Sequence, residues 1–294
     1  MKSSLLAGGV VCVVAAVLAG LFAVTGGVAR AARTGSALPA QAGQPLAAPP
    51  AAASTLANQI NRAQAVIDDP GSSSGDVADA AFLEQLATKR LERETRGARQ
   101  ATLALLRPQA AATVRTDLAA GASLSRLNVP AKHFPRWRIA QPPGPGTLLG
   151  FFREAQSRFG IAWQILAAIE FIETRFGRIH GLSTAGAQGP MQFLPSTWTR
   201  YGRGDINNQR DAILGAARFL VANGAPGDIA GALYHYNNSA DYVAAVQDYA
   251  QRMRADPRAY DGYYDWQVIY ARPDGAFVLP IGYPRVRPER VQYP

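Results

Sequence analysis

The chain has one cysteine in 294 residues, Cys12, and it lies within the first apolar segment. That excludes an intrachain disulfide, a cysteine nucleophile and a thiolate metal site. Cys12 also sits too early in the apolar run for a lipid-bearing cysteine, and Val11 precedes it where a small residue is expected. Histidine is scarce too. His133, His180 and His235 stand far apart with no H-E-x-x-H spacing, so no zinc site is expected. The stretch Asp205–Asp211 loosely resembles a calcium loop but lacks the twelve-residue frame and the closing glutamate. No cofactor and no metal are expected. Internal repeats are absent. One G-x-S-x-G match, Gly71-Ser72-Ser73-Ser74-Gly75, falls in low-complexity sequence with no strand before it and no helix expected after it, so it predicts no nucleophile elbow. Thirty Lys plus Arg against 21 acids give a net charge of +9. A basic chain suits anionic polymers or lipid surfaces. The cations are scattered, mostly Arg, and not interleaved with aromatics, so no nucleic acid is expected.

What is present divides along the chain. Residues 1–33 contain a nearly unbroken apolar run, Leu5–Val28, after Lys2, with Ala29-Arg30-Ala31 as a small-x-small site. This predicts a signal peptide or a transmembrane anchor, hence an exported chain that meets a membrane. Residues 34–76 are rich in Ala, Pro, Gly, Ser and Gln and predict a disordered linker. Residues 77–130 predict a helical spacer, with one helix over 77–107 stopped by Pro108 and a second carrying Val114 and Leu118. Its charged segment Lys89–Arg99 suits a solvated helix face, or a contact with anionic polymer or headgroups. Residues 131–146 are proline-rich and predict a second linker. From 147 the pattern becomes globular and helical. Leu148, Phe152 and Phe159 mark one helix, and Ile161–Gly177 holds the next. Asp211–Asn223 is a third, with Asp211 as its N-cap. Ile229–Tyr236 and Tyr242–Met253 follow. In residues 263–294, Trp266, Val268 and Tyr270 alternate, Pro273-Asp274-Gly275 turns, and Phe277 and Leu279 alternate again, which predicts a β-hairpin.

The chemistry concentrates in the second globular helix. Ile161-Ala-Trp-Gln-Ile-Leu-Ala-Ala-Ile-Glu-Phe-Ile-Glu173 is apolar on most faces and carries two acids, Glu170 and Glu173. At about 100° per residue they stand about 60° apart on the helical wheel, so helical geometry alone does not choose between them. A carboxyl in apolar surroundings resists ionisation and keeps its proton near neutral pH. A protonated carboxylic acid is what acid-catalysed cleavage of a sugar–sugar bond requires. The bland alternative for Glu173 is an internal ion pair with Arg175 or Arg178. Downstream, Gly186 and Gly189 let backbone approach a bound polymer. Gln192 offers both a donor and an acceptor, and Met191 suits packing beneath the helix. Tyr260, Tyr263, Tyr264 and Trp266 could stack on sugars, but packing within the domain is the favoured role.

Three pieces in order, Glu173-Thr174-Arg175-Phe176-Gly177, Ser183-Thr-Ala-Gly-Ala-Gln-Gly-Pro-Met-Gln-Phe-Leu-Pro195 and Tyr236-Asn237, resemble the lytic transglycosylase (SLT) domain of the lysozyme-like superfamily. The spelling is most similar to exported, actinobacterial-type lytic murein transglycosylases, over residues 147–262. The resemblance implies a mostly α, lysozyme-like fold with its cleft between helical lobes, and a short β-hairpin after it. It selects Glu173, which precedes a Thr, as the catalytic acid. It implies substrate contacts from Ser183, Gln192, Leu194, Tyr236 and Asn237. Leu194 departs from the Met common in relatives. The implied substrate is the MurNAc–GlcNAc strand of peptidoglycan, cut with formation of a 1,6-anhydro end by one glutamate acting as acid and then base. A lysozyme-type hydrolase of the same fold would need a second acid, for which Asp205 and Asp211 are the nearby candidates. A non-catalytic peptidoglycan-binding module is the third reading, disfavoured by the intact glutamate. Oligomeric state is open.

Overall fold

The computed structural model describes residues 51–293. The expected signal or anchor segment and residues 34–50 of the expected tether lie outside the described residues. Among those described, no helix is long and apolar enough to cross a membrane. The architecture is mostly helical with two small sheets, as the mostly α expectation required. Four helices come first: α1 (Ala51–Asp68), α2 (Ser74–Arg93), α3 (Arg96–Ala104) and α4 (Pro108–Leu127). Seven more carry the remainder: α5 (Pro145–Phe159), α6 (Trp163–Thr174), α7 (Pro195–Tyr201), α8 (Gln209–Ala222), α9 (Ile229–Tyr236), α10 (Ala240–Ala255) and α11 (Ala259–Asp265). Strands β1 (Arg138–Ile139) and β2 (Ile179–His180) pair antiparallel, so the expected linker 131–146 instead carries a strand and buries Trp137 and Ile139. Strands β3 (Ile269–Arg272), β4 (Gly275–Val278) and β5 (Glu289–Arg290) form the second sheet. The predicted hairpin is β3–β4, with Arg272 opposite Gly275 across the Pro273-Asp274 turn.

Three further local expectations need correction. Residues 51–68, assigned by composition to the flexible linker, form α1. Ala53, Leu56, Ala57, Ile60, Ala63 and Ile67 recur at helical spacing and are buried. An alanine-rich stretch is a good helix former, so low complexity here hides an amphipathic stripe. Residues 77–107 are not one helix. Thr95 caps α3 by accepting from the Ala98 N–H, while the Arg99 guanidinium donates to the carbonyls of Leu91, Glu92 and Glu94 at the end of α2. Pro108 opens α4 at its first position, where a missing N–H costs nothing. In α8 the cap is Asn208, whose side chain accepts from the Asp211 N–H; Asp211 sits in the first turn. Ser73, the central serine of the G-x-S-x-G match, is the N-cap of α2.

Much of the charged segment Lys89–Arg99 is paired locally. Lys89 pairs with Glu92 at 2.7 Å, Arg90 with Glu94 at 3.3 Å, and the Arg93 guanidinium lies over the Tyr293 ring.

Helix α6 runs through the middle of the main core. Every residue from Ile165 to Thr174 is buried, against side chains of α5, α8, α10 and α11. The Phe171 ring is enclosed by Phe176, Tyr249, Tyr263 and Trp266, so the aromatic cluster at the end of α11 serves packing. The first four helices share a smaller core around Ile60, Leu91 and Val114. They are not set apart from the later helices. Ala63, Ile67, Ala81, Ala120 and Leu124 belong to the main core. Buried polar contacts cross the same junction. The Arg252 guanidinium donates to Gln64, the Tyr263 hydroxyl donates to Asp117, and the Gln85 side chain exchanges hydrogen bonds with the Gln267 backbone.

Candidate functional site

Helix α6 ends one residue after Glu173, and the way it ends shapes the site. Arg175, Phe176 and Gly177 all have positive φ (55°, 58° and 80°). Two consecutive non-glycine residues there are strained and persist only where the surroundings hold them. Phe176 is anchored by the aromatic core. Gly177 sits at φ 80°, where a side chain is strained, and a Cβ there would also displace the Gln209 amide. The Thr174 hydroxyl binds the turn together: it donates to the Pro190 carbonyl at 2.6 Å and accepts from the Gly177 N–H at 3.0 Å. The helix end and the loop before Gln192 are thereby held in one frame.

The two acids of α6 have different surroundings. Glu170 is 0 % exposed, and neither carboxyl oxygen has a hydrogen-bond partner among the described residues. Burial pushes its pKa up to about 8. Glu173 retains 7 % exposure. Burial pushes its pKa up to about 8 as well, and a hydrogen bond from the Tyr242 hydroxyl to Oε1, 2.8 Å long, opposes that rise. Both acids hold protons at neutral pH, but only Glu173 reaches the surface. Among the described residues no cation pairs with it. Arg175 lies over the Phe171 ring at 4.0 Å and donates to the Phe171 carbonyl. Arg178 covers the Tyr264 ring and approaches Asp265 at 4.0 Å. The internal ion-pair alternative therefore has no geometry behind it.

The other residues singled out in the sequence surround this point to different degrees. Gln192 has φ 47°, and its side-chain amide donates to the carbonyls of Gly189 at 2.9 Å and Gly181 at 3.5 Å. Ser183 folds its own loop; its Oγ accepts from the N–H groups of Ala185 and Ala187. Leu194 is the half-buried residue at the head of α7, packed on the main core. Tyr236 is buried, and its hydroxyl donates to the Met191 carbonyl at 2.6 Å rather than to Glu173. Asn237 is buried at the end of α9, its N–H on the Leu233 carbonyl.

The sequence reasoning missed Tyr242. Ser239 caps α10 by accepting from the Tyr242 N–H, which fixes the first turn of that helix. The Tyr242 ring then lies parallel to Tyr236, centroids 6.3 Å apart and planes 5° apart. Tyr236 holds the loop at Met191, and Tyr242 holds the acid. The available signal was the Ser-x-x-Tyr spacing after Tyr236-Asn237, a capping serine that sets a tyrosine in the first helical turn.

Asp205 and Asp211 each commit one carboxylate oxygen to their own loop. Asp205 Oδ1 accepts from the Asn207 N–H, and Asp211 Oδ2 accepts from the Asp205 N–H. Among the described residues no cluster of three His, Cys, Asp or Glu could hold a metal ion.

Comparison with known proteins gives one direction. The membrane-bound lytic murein transglycosylase F of Thiobacillus denitrificans is 32 % identical over 142 residues, which is 46 % of this chain and 30 % of that protein. The chain thus spans under a third of that relative's length. No family model matches the chain, and no solved structure matches it.

Proposed function

We propose that the chain is a lytic transglycosylase that cuts the MurNAc–GlcNAc bond of peptidoglycan, with Glu173 as its one catalytic acid and base in a lysozyme-like fold. The observation that carries this reading is the environment of Glu173: a carboxyl buried enough to keep its proton near neutral pH, exposed enough to be reached, and free of any cation that would ionise it. The similarity to a lytic murein transglycosylase supports the substrate.

The protonated Glu173 gives its proton to the glycosidic oxygen, and the bond breaks through an oxocarbenium-like state. Glu173 is then a carboxylate in an apolar site. The Tyr242 hydroxyl bonds more strongly to that charge than to the neutral acid, so it lowers the cost of the step. The carboxylate next takes the proton of the sugar's own C6 hydroxyl, which closes onto C1. Intramolecular attack needs no captured water. A water-activating second carboxylate is not supported, since Asp205 and Asp211 are engaged in their loop. Ser183, Gln192, Leu194, Tyr236 and Asn237 form or support the sugar-binding surface, and no cofactor is needed. The apolar segment Leu5–Val28 exports the chain and places it at the cell wall, as a membrane-anchored or secreted protein.

Mass spectrometry of digested peptidoglycan tests the reading. Muropeptides should end in 1,6-anhydroMurNAc, about 18 mass units (one water) below the hydrolytic product. Reducing-end MurNAc would indicate the lysozyme-type reaction instead, and no release would indicate a binding module.

A further inference from the structure

Two cavities meet around Pro143, Asn207 and Gln209, and Glu173 lines neither. One, of about 360 Å³, is bounded by Gln141, His180, Gln188 and Gly189. The other, of about 510 Å³, is bounded by Thr147, Phe151 and Arg210. They share Pro143, Asn207 and Gln209, so they adjoin as one trough. None of Glu173, Gln192, Leu194, Tyr236, Asn237 or Tyr242 lines either part.

The lining mixes side-chain amides with apolar groups, Ile179 and Leu182 among them. Gln141, Gln188, Asn207, Asn208 and Gln209 contribute amide groups, and the Pro143 and Phe151 rings contribute flat apolar surface. Gln209 donates to the Phe176 carbonyl, which leaves its Oε1 without a partner among the described residues. The charged groups present are spoken for. Arg210 pairs with Glu154, and Asp211 accepts from the Asp205 N–H. Burial and the neighbouring Arg138 hold the His180 imidazole below its ordinary pKa and favour its neutral form. Its one arginine is paired, so the trough offers no bare positive charge to a phosphate. Amides that both donate and accept match the N–H and C=O of an acetamido group, and the rings match its methyl and a pyranose face.

We propose that this trough is an accessory binding site for uncharged N-acetylated sugar, distinct from the Glu173 site. It rests on the proposed function only for the source of that sugar, a glycan strand. The floor of the trough connects the two sites: Gly177 follows the Glu173–Phe176 turn, and Pro190 takes the Thr174 hydrogen bond just ahead of Gln192. A polymer held at both places stays engaged after either contact lapses, which raises retention without any change in chemistry.

The test uses the full chain carrying Glu173→Gln, in a detergent without sugar, with chitotetraose as probe. Hydrogen exchange should slow in peptides covering residues 139–143 and 205–210, as well as around residues 236–243. Adding Gln141→Ala and Gln188→Ala should abolish the first protection, leave the second, and cut retention on peptidoglycan sacculi by at least about tenfold. Retained protection around 236–243 shows that the variant is folded. Maltotetraose, which lacks acetamido groups, should not protect the trough. The proposal is overturned by no protection at 139–143 and 205–210, by protection that survives the double substitution, or by equal protection from maltotetraose. Failure of the catalytic reading would show separately, as absent anhydro products from the chain with Glu173 intact.

Discussion

Replacing Tyr242 with Phe removes one hydroxyl and almost no volume. What it deletes is the 2.8 Å hydrogen bond to Glu173 Oε1. That bond lowers the Glu173 pKa against the larger effect of burial, which raises it to about 8. A hydrogen bond to a charged group is worth roughly 1.5–3 kcal/mol, which corresponds to about 1–2 pKa units. The Glu173 pKa should therefore rise further in Tyr242→Phe. Cleavage needs the protonated acid, so activity falls as pH rises through the Glu173 pKa; in the variant that alkaline limb should move upward. The plateau rate should fall, because the carboxylate formed in the first step loses its hydrogen bond, by about 10- to 100-fold on the same energy. The assay is the pH profile of kcat/KM on a soluble peptidoglycan fragment, with thermal unfolding as a check on the fold. An alkaline limb that stays put or moves downward refutes the assigned role. A lower plateau alone would reduce Tyr242 to packing on Tyr236.

Four further outcomes are expected. Glu173→Gln should abolish cleavage by roughly 10²- to 10⁴-fold while binding to sacculi persists, measured by product release and pull-down; Glu170→Gln should cost far less. In folding, the raised Glu170 pKa means that the unfolded chain sheds its proton first, so native stability declines as pH rises from about 4.5 towards about 8. Glu170→Gln should therefore gain melting temperature over the parent at pH 8 relative to pH 4, with an upper bound of about 4–5 kcal/mol, and an equal difference at both pH values would refute the burial argument. Thr174→Val leaves the Pro190 carbonyl and the Gly177 N–H without their side-chain partner and should cost roughly 2–4 kcal/mol in denaturant unfolding, whereas Thr174→Ser should restore most of it. A chain begun at residue 132 should lose cooperative unfolding, because Arg252 and Tyr263 would lose Gln64 and Asp117, and the core would lose Ala120 and Leu124.

The parts of this protein legible in its sequence are those where one local signal governs. The two-residue turn at Pro273-Asp274 and the alternation around it specify β3–β4. The apolar run before Glu173 specifies a buried helix, because no polar face is available to turn outward. The N-terminal helices were misread where two signals compete. Alanine, glycine and serine satisfy the composition of a tether, while Leu56, Ile60 and Ile67 carry only a thin helical stripe. Their partners, on α2 and α4, stand too far along the chain for local pattern to announce them. The capping serine places Tyr242 in a first helical turn, but its contact with Glu173 is not a local signal. Its importance comes from a contact across 69 residues with Glu173, and a tyrosine in a first helical turn looks like any other core residue.

The acids of α6 show where sequence stops and geometry begins. Both lie in the same apolar helix, and both are pushed to the same pKa by the same cause. A perturbed pKa therefore cannot pick the catalytic group. What separates them is access and partnership. Glu170 is sealed, with oxygens that meet no donor, so a proton it released could reach nothing. Glu173 keeps a small exposed surface and one hydroxyl that stabilises its charged form. An acid that must lose and regain a proton within one turnover needs both: an opening towards the substrate, and a donor that makes the ionised state tolerable while it lasts. The three-residue spacing on the helix supplies the difference. It turns Glu170 towards the Tyr260 side of the core and Glu173 towards α10, where Ser239 has set Tyr242 in place.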